Sequence, residues 1–141
     1  MKDKYFIDTN ILVYAHDTAH LDKQLKAQEV IFSGLRKGNA VISTQVLNEF
    51  FVIVTQKIKN PLSELKAKNE IILLSHFEIV EIDMPIIIRA IDIKAKWKIN
   101  YWDALIFSCA ERSGCSFLYS EDFSDGHNYD SIKVRNIFVG E

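Results

Sequence analysis

Short apolar strands alternate with longer helical segments along the sequence, and this alternation constrains the fold more than any other feature. The segments predicted as strands are residues 5–7, 40–43, 79–82, 116–119 and 134–139. Short strands separated by helices favour a parallel sheet whose two faces are both covered. The predicted fold class is therefore α/β, with a three-layer α/β/α arrangement around a central parallel sheet of four to five strands.

The helices are predicted from apolar residues spaced three or four positions apart and from the residues that begin and end such segments. Asn60 is predicted to cap a helix that has Pro61 in its first position, because both residue types are favoured at a helix start. The helices expected from these signals span about residues 21–37, 47–58, 61–74, 83–97 and 101–114.

Length and composition set limits on what the chain can be. The 141 residues fit one domain, so residues 1–141 are predicted to form a single unit. A net charge of −2 neither supports nor excludes nucleic-acid binding, which needs a local basic patch. Cys109 and Cys115 lack the spacing of a zinc site and suit a reducing cytoplasm. No signal peptide or membrane-spanning apolar run is recognisable, which also favours a cytoplasmic location.

Four acidic residues stand where solvation at the surface does not readily explain them. Asp8 and Asp122 follow the first and fourth predicted strands. Asp103 lies in the first turn of the last helix, and Glu49 lies beside the apolar stripe of its helix. Ligands of parallel sheets bind beyond the carboxyl ends of the strands, so most of these elements would bring their acids to one edge of the sheet.

A divalent cation is the simplest way to hold several carboxylates together. Acids placed close to each other repel, and a neighbouring positive charge relieves that repulsion. Mg²⁺ and Mn²⁺ both prefer carboxylate and water oxygens as ligands. The pattern therefore predicts a site for Mg²⁺, with Mn²⁺ as a substitute, that holds one or two ions.

Each acid also has an ordinary structural interpretation. Asp8 is a candidate N-cap for a helix that starts near residue 11, although Thr9 or Asn10 could cap that helix instead. Asp103 would gain from the helix dipole at its position. Glu49 could be a partly exposed residue at the edge of the apolar stripe of its helix. Asp122 could belong to an ordinary acidic loop. The functional interpretation rests on the four residues together rather than on any one of them.

Three segments resemble the motifs of the PIN-domain nucleases, in particular toxins of the virulence-associated protein C type from toxin–antitoxin pairs. They are residues 6–12 (FIDTNIL), 43–50 (STQVLNEF) and 101–106 (YWDALI). The resemblance covers nearly the whole chain. It implies a PIN-like fold and Mg²⁺- or Mn²⁺-dependent endonucleolytic cleavage of RNA, leaving a 5′-phosphate and a 3′-hydroxyl. It also implies that Asp8, Glu49 and Asp103 are catalytic, metal-site acids.

The same resemblance suggests supporting roles and leaves a choice for the fourth acid. Asp122 is the preferred fourth metal-site acid, with Glu121 and Asp125 as alternatives in the same stretch. Thr9 or Asn10 would orient Asp8 or a bound water molecule, and the Ser120 hydroxyl would add a further contact. By the same analogy the partners are an RNA substrate, a cognate antitoxin and a second copy of the chain.

Basic residues near the third motif are candidates for contacts with RNA. Lys96 and Lys98 flank Trp97 and could contact phosphates beside a stacking aromatic ring. Arg112, further along the last helix, is a weaker candidate. The alternative is that these lysines form the solvated face of a helix end around a core tryptophan.

Two other functions remain open on the sequence. A PIN fold could bind RNA or protein without catalysis, although such a protein would be expected to lose one of its acids. A phosphatase of the haloacid-dehalogenase kind also opens with a strand-end Asp. The second Asp of that class, two positions later, is Asn10 here, and an amide cannot act as the general acid.

Overall fold

The computed structural model describes residues 3–139, which form six strands and six helices. The strands are β1 (Tyr5–Ile7), β2 (Ala40–Ser43), β3 (Glu78–Val80), β4 (Phe117–Tyr119), β5 (Asn128–Tyr129) and β6 (Ile132–Arg135). The helices are α1 (Thr9–Tyr14), α2 (Leu21–Lys37), α3 (Thr44–Gln56), α4 (Glu64–Leu74), α5 (Met84–Trp97) and α6 (Tyr101–Arg112).

The strands form one sheet in the order β3-β2-β1-β4-β6-β5. All neighbouring pairs are parallel except β5 and β6, which are antiparallel. The predicted α/β class with a central parallel sheet is confirmed. The strand order reverses between β1 and β4, and ligands of such sheets bind at this reversal.

Helices cover both faces of the central strands, which completes the three layers. Phe6, Val41, Ile42 and Leu118 are fully buried within the sheet. Such strands are continuously apolar because neither face meets water. On the helices, α5 packs against α6, and α1 packs against both α2 and α3. None of the helices within residues 3–139 has the length and hydropathy needed to cross a membrane.

Several predicted boundaries are wrong at the edges of the sheet. The third strand ends at Val80 rather than at residue 82, because the chain must turn before Asp83 caps α5. The last strand lies at Ile132–Arg135 rather than at 134–139. The two-residue strand β5 was not predicted, since it is too short to show a period of two and exists only as a hairpin with β6. The last helix ends at Arg112, two residues early.

The start of α4 was also predicted wrongly. Ser63 caps this helix, with its hydroxyl accepting a hydrogen bond from Lys66 N at 3.1 Å. Asn60 and Pro61 belong instead to the connection from α3, where Leu62 N donates to a carbonyl of α3 at 2.8 Å. The tertiary contact with α3 therefore decides where the helix begins.

Some apolar residues of the helices are exposed rather than packed into the core. On α2, Leu21, Leu25 and Phe32 are 63%, 67% and 58% exposed, so the apolar spacing that predicted this helix does not mark its buried face. Further exposed apolar side chains lie on α4 and α5, among them Leu65, Ile72, Met84, Ile88 and Ile91. These faces are surfaces on which another chain could pack.

Gly34 is the point of closest approach between α2 and the sheet, and Gly34→Ala is expected to destabilise the fold. A Cβ at this position would lie 2.6 Å from Ala40 Cβ and 2.9 Å from the Tyr5 hydroxyl. Overpacking costs about 1–3 kcal/mol, against roughly 1 kcal/mol that Ala gains over Gly in a helix. Denaturant unfolding should show a net loss. In a double-mutant cycle, Ala40→Gly should recover part of that loss; strictly additive losses would contradict the steric explanation.

Candidate active site

The candidate site lies where β1 and β4, which are neighbours, both end. Asp8 follows β1 directly and Ser120 follows β4 directly. Asp8 N donates to Tyr119 O at 3.0 Å, which continues the pairing of the two strands by one residue. The reversal of strand order thus leaves a crevice whose floor is formed by these two strand ends.

Asp8 is buried at the base of this crevice. Its Oδ1 accepts a hydrogen bond from Thr9 N at 2.7 Å, and its Oδ2 accepts one from the Ser120 hydroxyl at 2.8 Å. Burial raises the pKa of Asp8 to about 7, against the effect of these two hydrogen bonds. The negative charges of Asp122 and Glu49 contribute a smaller part of this rise. Within residues 3–139, Asp8 therefore has hydrogen-bond donors but no ion-pair partner to offset its burial.

Asp8 also caps α1, so its structural and functional interpretations both apply. The helix begins at Thr9, and the capping contact is the one from Thr9 N. The idea that Thr9 or Asn10 would cap in place of Asp8 is wrong. Asn10 instead fastens the loop after β4: its Nδ2 donates to Ser120 Oγ at 3.3 Å and its Oδ1 accepts from Glu121 N at 3.3 Å.

Glu49 reaches the crevice from α3, and Thr9 fixes its carboxylate. The Thr9 hydroxyl donates to Glu49 Oε1 at 2.6 Å. Thr9 was expected to support Asp8 or a water molecule. In the structure it serves two acids at once, with its backbone N–H on Asp8 and its hydroxyl on Glu49. A contact between residues 40 positions apart has no local signal in the sequence.

Asp103 lies in the first turn of α6, where the Asn100 side chain accepts one hydrogen bond from it and donates another to it. Asn100 Oδ1 accepts from Asp103 N at 2.9 Å, and Asn100 Nδ2 donates to Asp103 Oδ2 at 2.6 Å. Burial raises the pKa of Asp103, the hydrogen bond from Asn100 lowers it, and the charges of Asp122 and Glu49 raise it. The net direction is upward, as for Asp8.

The structure brings Asp122, rather than its two alternatives, into the crevice. Glu121 turns away and binds Lys23 and the Tyr14 hydroxyl. Although burial raises it, the pKa of Glu121 is lowered overall by these two partners. Asp125 lies in a different cleft, where it accepts from a backbone N–H at 2.9 Å.

One cavity of about 840 Å³ is lined by all four acids: Asp8, Glu49, Asp103 and Asp122. Within residues 3–139, none of these four carboxylates has an ion-pair partner. Carboxylates without cations are donors of the kind that Mg²⁺ and Mn²⁺ prefer, so the chemistry of the site fits a divalent ion. Across the same residues, no three acidic, histidine or cysteine side chains converge closely enough to hold an ion as they stand.

The lysines and the arginine expected to contact RNA lie away from this cavity. Lys96 pairs with Asp130 beside Trp97, and Arg112 binds Asp83 at 2.8 and 3.1 Å. Lys98 ends α5 in a left-handed conformation. The cavity wall contains none of the three.

Two other lysines do line the cavity, and the sequence analysis missed them. Lys57 and Lys59 follow the end of α3, the helix that carries Glu49, and both are exposed. One feature of the sequence could have indicated them: they form a basic pair just after the helix that carries the second motif. Their position opposite the acids depends on how α3 packs, which the sequence does not state.

The sequence of residues 5–124 matches the family model described as the PIN domain. The chain belongs to the PIN domain family. The matched region contains β1 to β4 and all four acids of the cavity. No curated protein matches the chain significantly.

Several solved structures share this fold. A toxin–antitoxin complex from Klebsiella pneumoniae aligns with a TM-score of 0.68 at 19% identity, covering 92% of this chain and 95% of that one. DNA-bound VapBC from Salmonella typhimurium gives 0.69 at 17% identity, covering 96% and 99%. The sarcin-ricin loop cleaving toxin VapC20 of Mycobacterium tuberculosis gives 0.67 at 16% identity, covering 84% and 90%. At these identities the likeness shows the fold.

Proposed function

We propose that this PIN domain protein is a Mg²⁺-dependent endoribonuclease, with Mn²⁺ as a substitute, and the toxin of a type II toxin–antitoxin pair. The observation that carries the proposal is the cavity that all four carboxylates line, none of them with an ion-pair partner within residues 3–139. One structure that shares the fold is described as a toxin–antitoxin complex, and another as a toxin that cleaves the sarcin-ricin loop. A protein that acts on cellular RNA would work in the cytoplasm.

In this mechanism Asp8, Glu49, Asp103 and Asp122 would hold the divalent ion. When bound, such an ion stabilises charge on the phosphodiester and lowers the pKa of a water molecule. Ser120 and the backbone of Thr9 keep Asp8 in place through the bonds at 2.8 and 2.7 Å. In-line attack of water on phosphorus would break the P–O3′ bond, and the leaving 3′ oxygen would take up a proton, which gives a 5′-phosphate and a 3′-hydroxyl.

The supports of the other acids keep them oriented before substrate arrives. The Thr9 hydroxyl holds Glu49, and Asn100 holds Asp103. A site whose groups are already oriented loses less free energy to reorganisation during the reaction. Positioning by neutral donors also leaves the negative charge of each acid available for a cation.

The test is cleavage of a mixed RNA pool by the purified protein in Mg²⁺ or Mn²⁺, with Asp103→Asn and an EDTA sample in parallel. Cleavage by the wild type alone, with 5′-phosphate ends, is the expected result. Cleavage that survives both Asp103→Asn and EDTA would reject the metal-acid mechanism. RNA binding with no turnover in either metal would favour a non-catalytic binding module instead.

Exposed apolar surface supports two protein partners. The faces of α2 and α4 that carry Leu21, Leu25 and Leu65 suit an apolar segment of an antitoxin. The exposed Met84 and Ile88 of α5 suit a second copy of the chain. Light scattering of the free protein would show whether it is a homodimer.

Lys57 and Lys59 are expected to contribute to RNA affinity. They are the lysines in the cavity wall, and removing a lysine that binds a phosphate should lower both the affinity and its salt dependence. The double variant Lys57→Ala/Lys59→Ala should bind single-stranded RNA about tenfold more weakly in EDTA, with a salt slope lower by up to about 1.4.

The matched control for this pair is Lys96→Ala/Lys98→Ala. It removes the same charge from a surface outside the cavity and should leave binding nearly unchanged. A decrease in affinity in the control as large as that in the test variant would mean that net charge, rather than position, governs the binding.

A further inference from the structure

Trp102 is an exposed tryptophan beside one of the acids. It is 63% exposed, whereas Ala104 and Leu105, which follow Asp103 in the same helix, are buried. A large aromatic side chain left in solvent gives up the free energy of burial and is typical of a binding surface. Trp97, the other of the two tryptophans, is half-buried and donates its indole N–H to Asp130.

Trp102 lies between two cavities. One is the acid cavity, and the other is a cavity of about 410 Å³ whose wall includes Thr44, Asn48 and Ile82. Trp102, Gln45 and Glu49 line both cavities. The two cavities therefore adjoin at these residues, and together we call them the groove.

The backbone of Trp102 accepts a side-chain hydrogen bond, and its exposed ring has an aromatic neighbour. Gln45 Nε2 donates to Trp102 O at 3.2 Å. The Tyr101 ring contacts the indole edge-on, with centroids 5.3 Å apart and an angle of 74°. A ring held in place but open to solvent loses little conformational entropy when it stacks on a ligand.

Gln45 adds a second, independent feature. It is buried, at 8% exposed, and its side-chain oxygen has no hydrogen-bond partner within residues 3–139. Buried acceptors nearly always have a donor in folded proteins. The oxygen is enclosed in the free protein, and a rotation of the Gln45 side chain, which lines both cavities, would offer it to an N–H group of a ligand beside Trp102.

We infer that Trp102 stacks on an unpaired RNA base next to the phosphodiester that is cut, and that Gln45 accepts a hydrogen bond from that base. The inference rests on the proposed function and adds to it two residues that would bind the substrate beside the cleaved bond. A base held in a duplex presents no free face to an indole ring, so paired RNA does not fit the groove.

The first measurement is tryptophan fluorescence of Trp97→Phe in EDTA, in which Trp102 is the sole tryptophan. A random-sequence single-stranded RNA should quench this signal, and a duplex of the same length should not. Stacking on an indole tolerates any base, so no quenching by the random single strand would overturn the inference.

The second measurement compares Trp102→Ala and Trp102→Phe with the wild type. Loss of one base stack should weaken RNA binding about 5- to 100-fold in Trp102→Ala, while Trp102→Phe keeps most of the affinity. In cleavage assays the loss should appear mainly in KM. Unchanged affinity in Trp102→Ala would overturn the inference, as would a change from dimer to monomer with no change in RNA affinity, which would assign the ring to a contact between copies.

Failure of the inference and failure of the proposed function give different results. Cleavage by the wild type and by Trp102→Ala with equal KM keeps the ribonuclease and rejects the base-stacking role. Quenching by single-stranded RNA without cleavage in either metal keeps the stacking role and rejects the ribonuclease.

Discussion

Replacing Asp8 by Asn is expected to lower RNA cleavage by at least about a thousandfold, the equivalent of roughly 4 kcal/mol of transition-state stabilisation. Asp8 is the buried acid at the floor of the cavity, with a carboxylate that no cation neutralises within residues 3–139. Asn keeps the size of the side chain and an oxygen for Thr9 N, so the fold should survive. Initial rates on a defined RNA target measure the effect, and circular dichroism checks folding.

A matched pair of variants in the loop after β4 tests which residue is the fourth acid of the site. Asp122→Asn should lower cleavage by one to several orders of magnitude, because Asp122 lines the acid cavity and raises the pKa of both Asp8 and Asp103. Asp125→Asn makes the same chemical change three positions later, outside the cavity, and should leave the rate unchanged. A larger loss in Asp125→Asn than in Asp122→Asn would overturn the assignment.

The metal-free protein is expected to lose stability as the pH rises from about 4 to above 7. Asp8 has a pKa of about 7 in the fold, against an ordinary value of 3.8. In that interval the folded state keeps a proton that the unfolded state has released, so the free energy of unfolding falls as the pH increases. This shift in the pKa of Asp8 corresponds to a change in the free energy of unfolding on the order of 4 kcal/mol at most.

Asp8→Asn is the control that isolates this effect. His16 acts in the opposite direction, because burial lowers its pKa and favours the fold at higher pH. The difference between wild type and Asp8→Asn cancels that contribution. Urea unfolding in EDTA at about pH 5 and about pH 8.5 should show a variant that is more stable than the wild type only at the higher pH. Equal pH slopes in the two proteins would contradict the raised pKa of Asp8.

Divalent cations should reverse this loss. A cation that binds only the folded protein stabilises it by mass action, and at high pH the ionised Asp8 would bind it more strongly. Adding Mg²⁺ or Mn²⁺ at about pH 8.5 should therefore stabilise the wild type more than Asp8→Asn. This measurement detects the ion without any RNA substrate.

The architecture could be predicted because it depends on local pattern. Strands such as 40–43, with apolar residues on both faces, indicate a parallel sheet, and strand ends in a parallel sheet meet at one edge. The same logic predicted that Asp8, Asp103 and Asp122 come to one edge of the sheet, and these three line one cavity together with Glu49. Acids at strand ends and helix starts are positions that topology alone determines.

The features that could not be predicted depend on packing between distant segments. The contact of Thr9 with Glu49 and the place of Lys57 in the cavity wall follow from how α1 and α3 meet. The choice of Ser63 over Asn60 as a cap follows from a contact between the loop and α3. The spacing of apolar residues also failed to predict that Leu25 is exposed, because it does not say whether another helix covers that position.

The hydrogen bond between Ser120 and Asp8 joins residues 112 positions apart, and this separation matters while the protein is being synthesised. Domains fold during synthesis as their segments leave the ribosome, and a strand cannot pair before its partner has emerged. The floor of the cavity therefore does not exist until β4 and the loop after it have been made. A growing or truncated chain that ends before residue 120 contains Asp8, Glu49 and Asp103 but cannot assemble them. If the protein cuts cellular RNA, the ribosome that makes it meets an assembled site only after β4 and the loop that follows it have emerged.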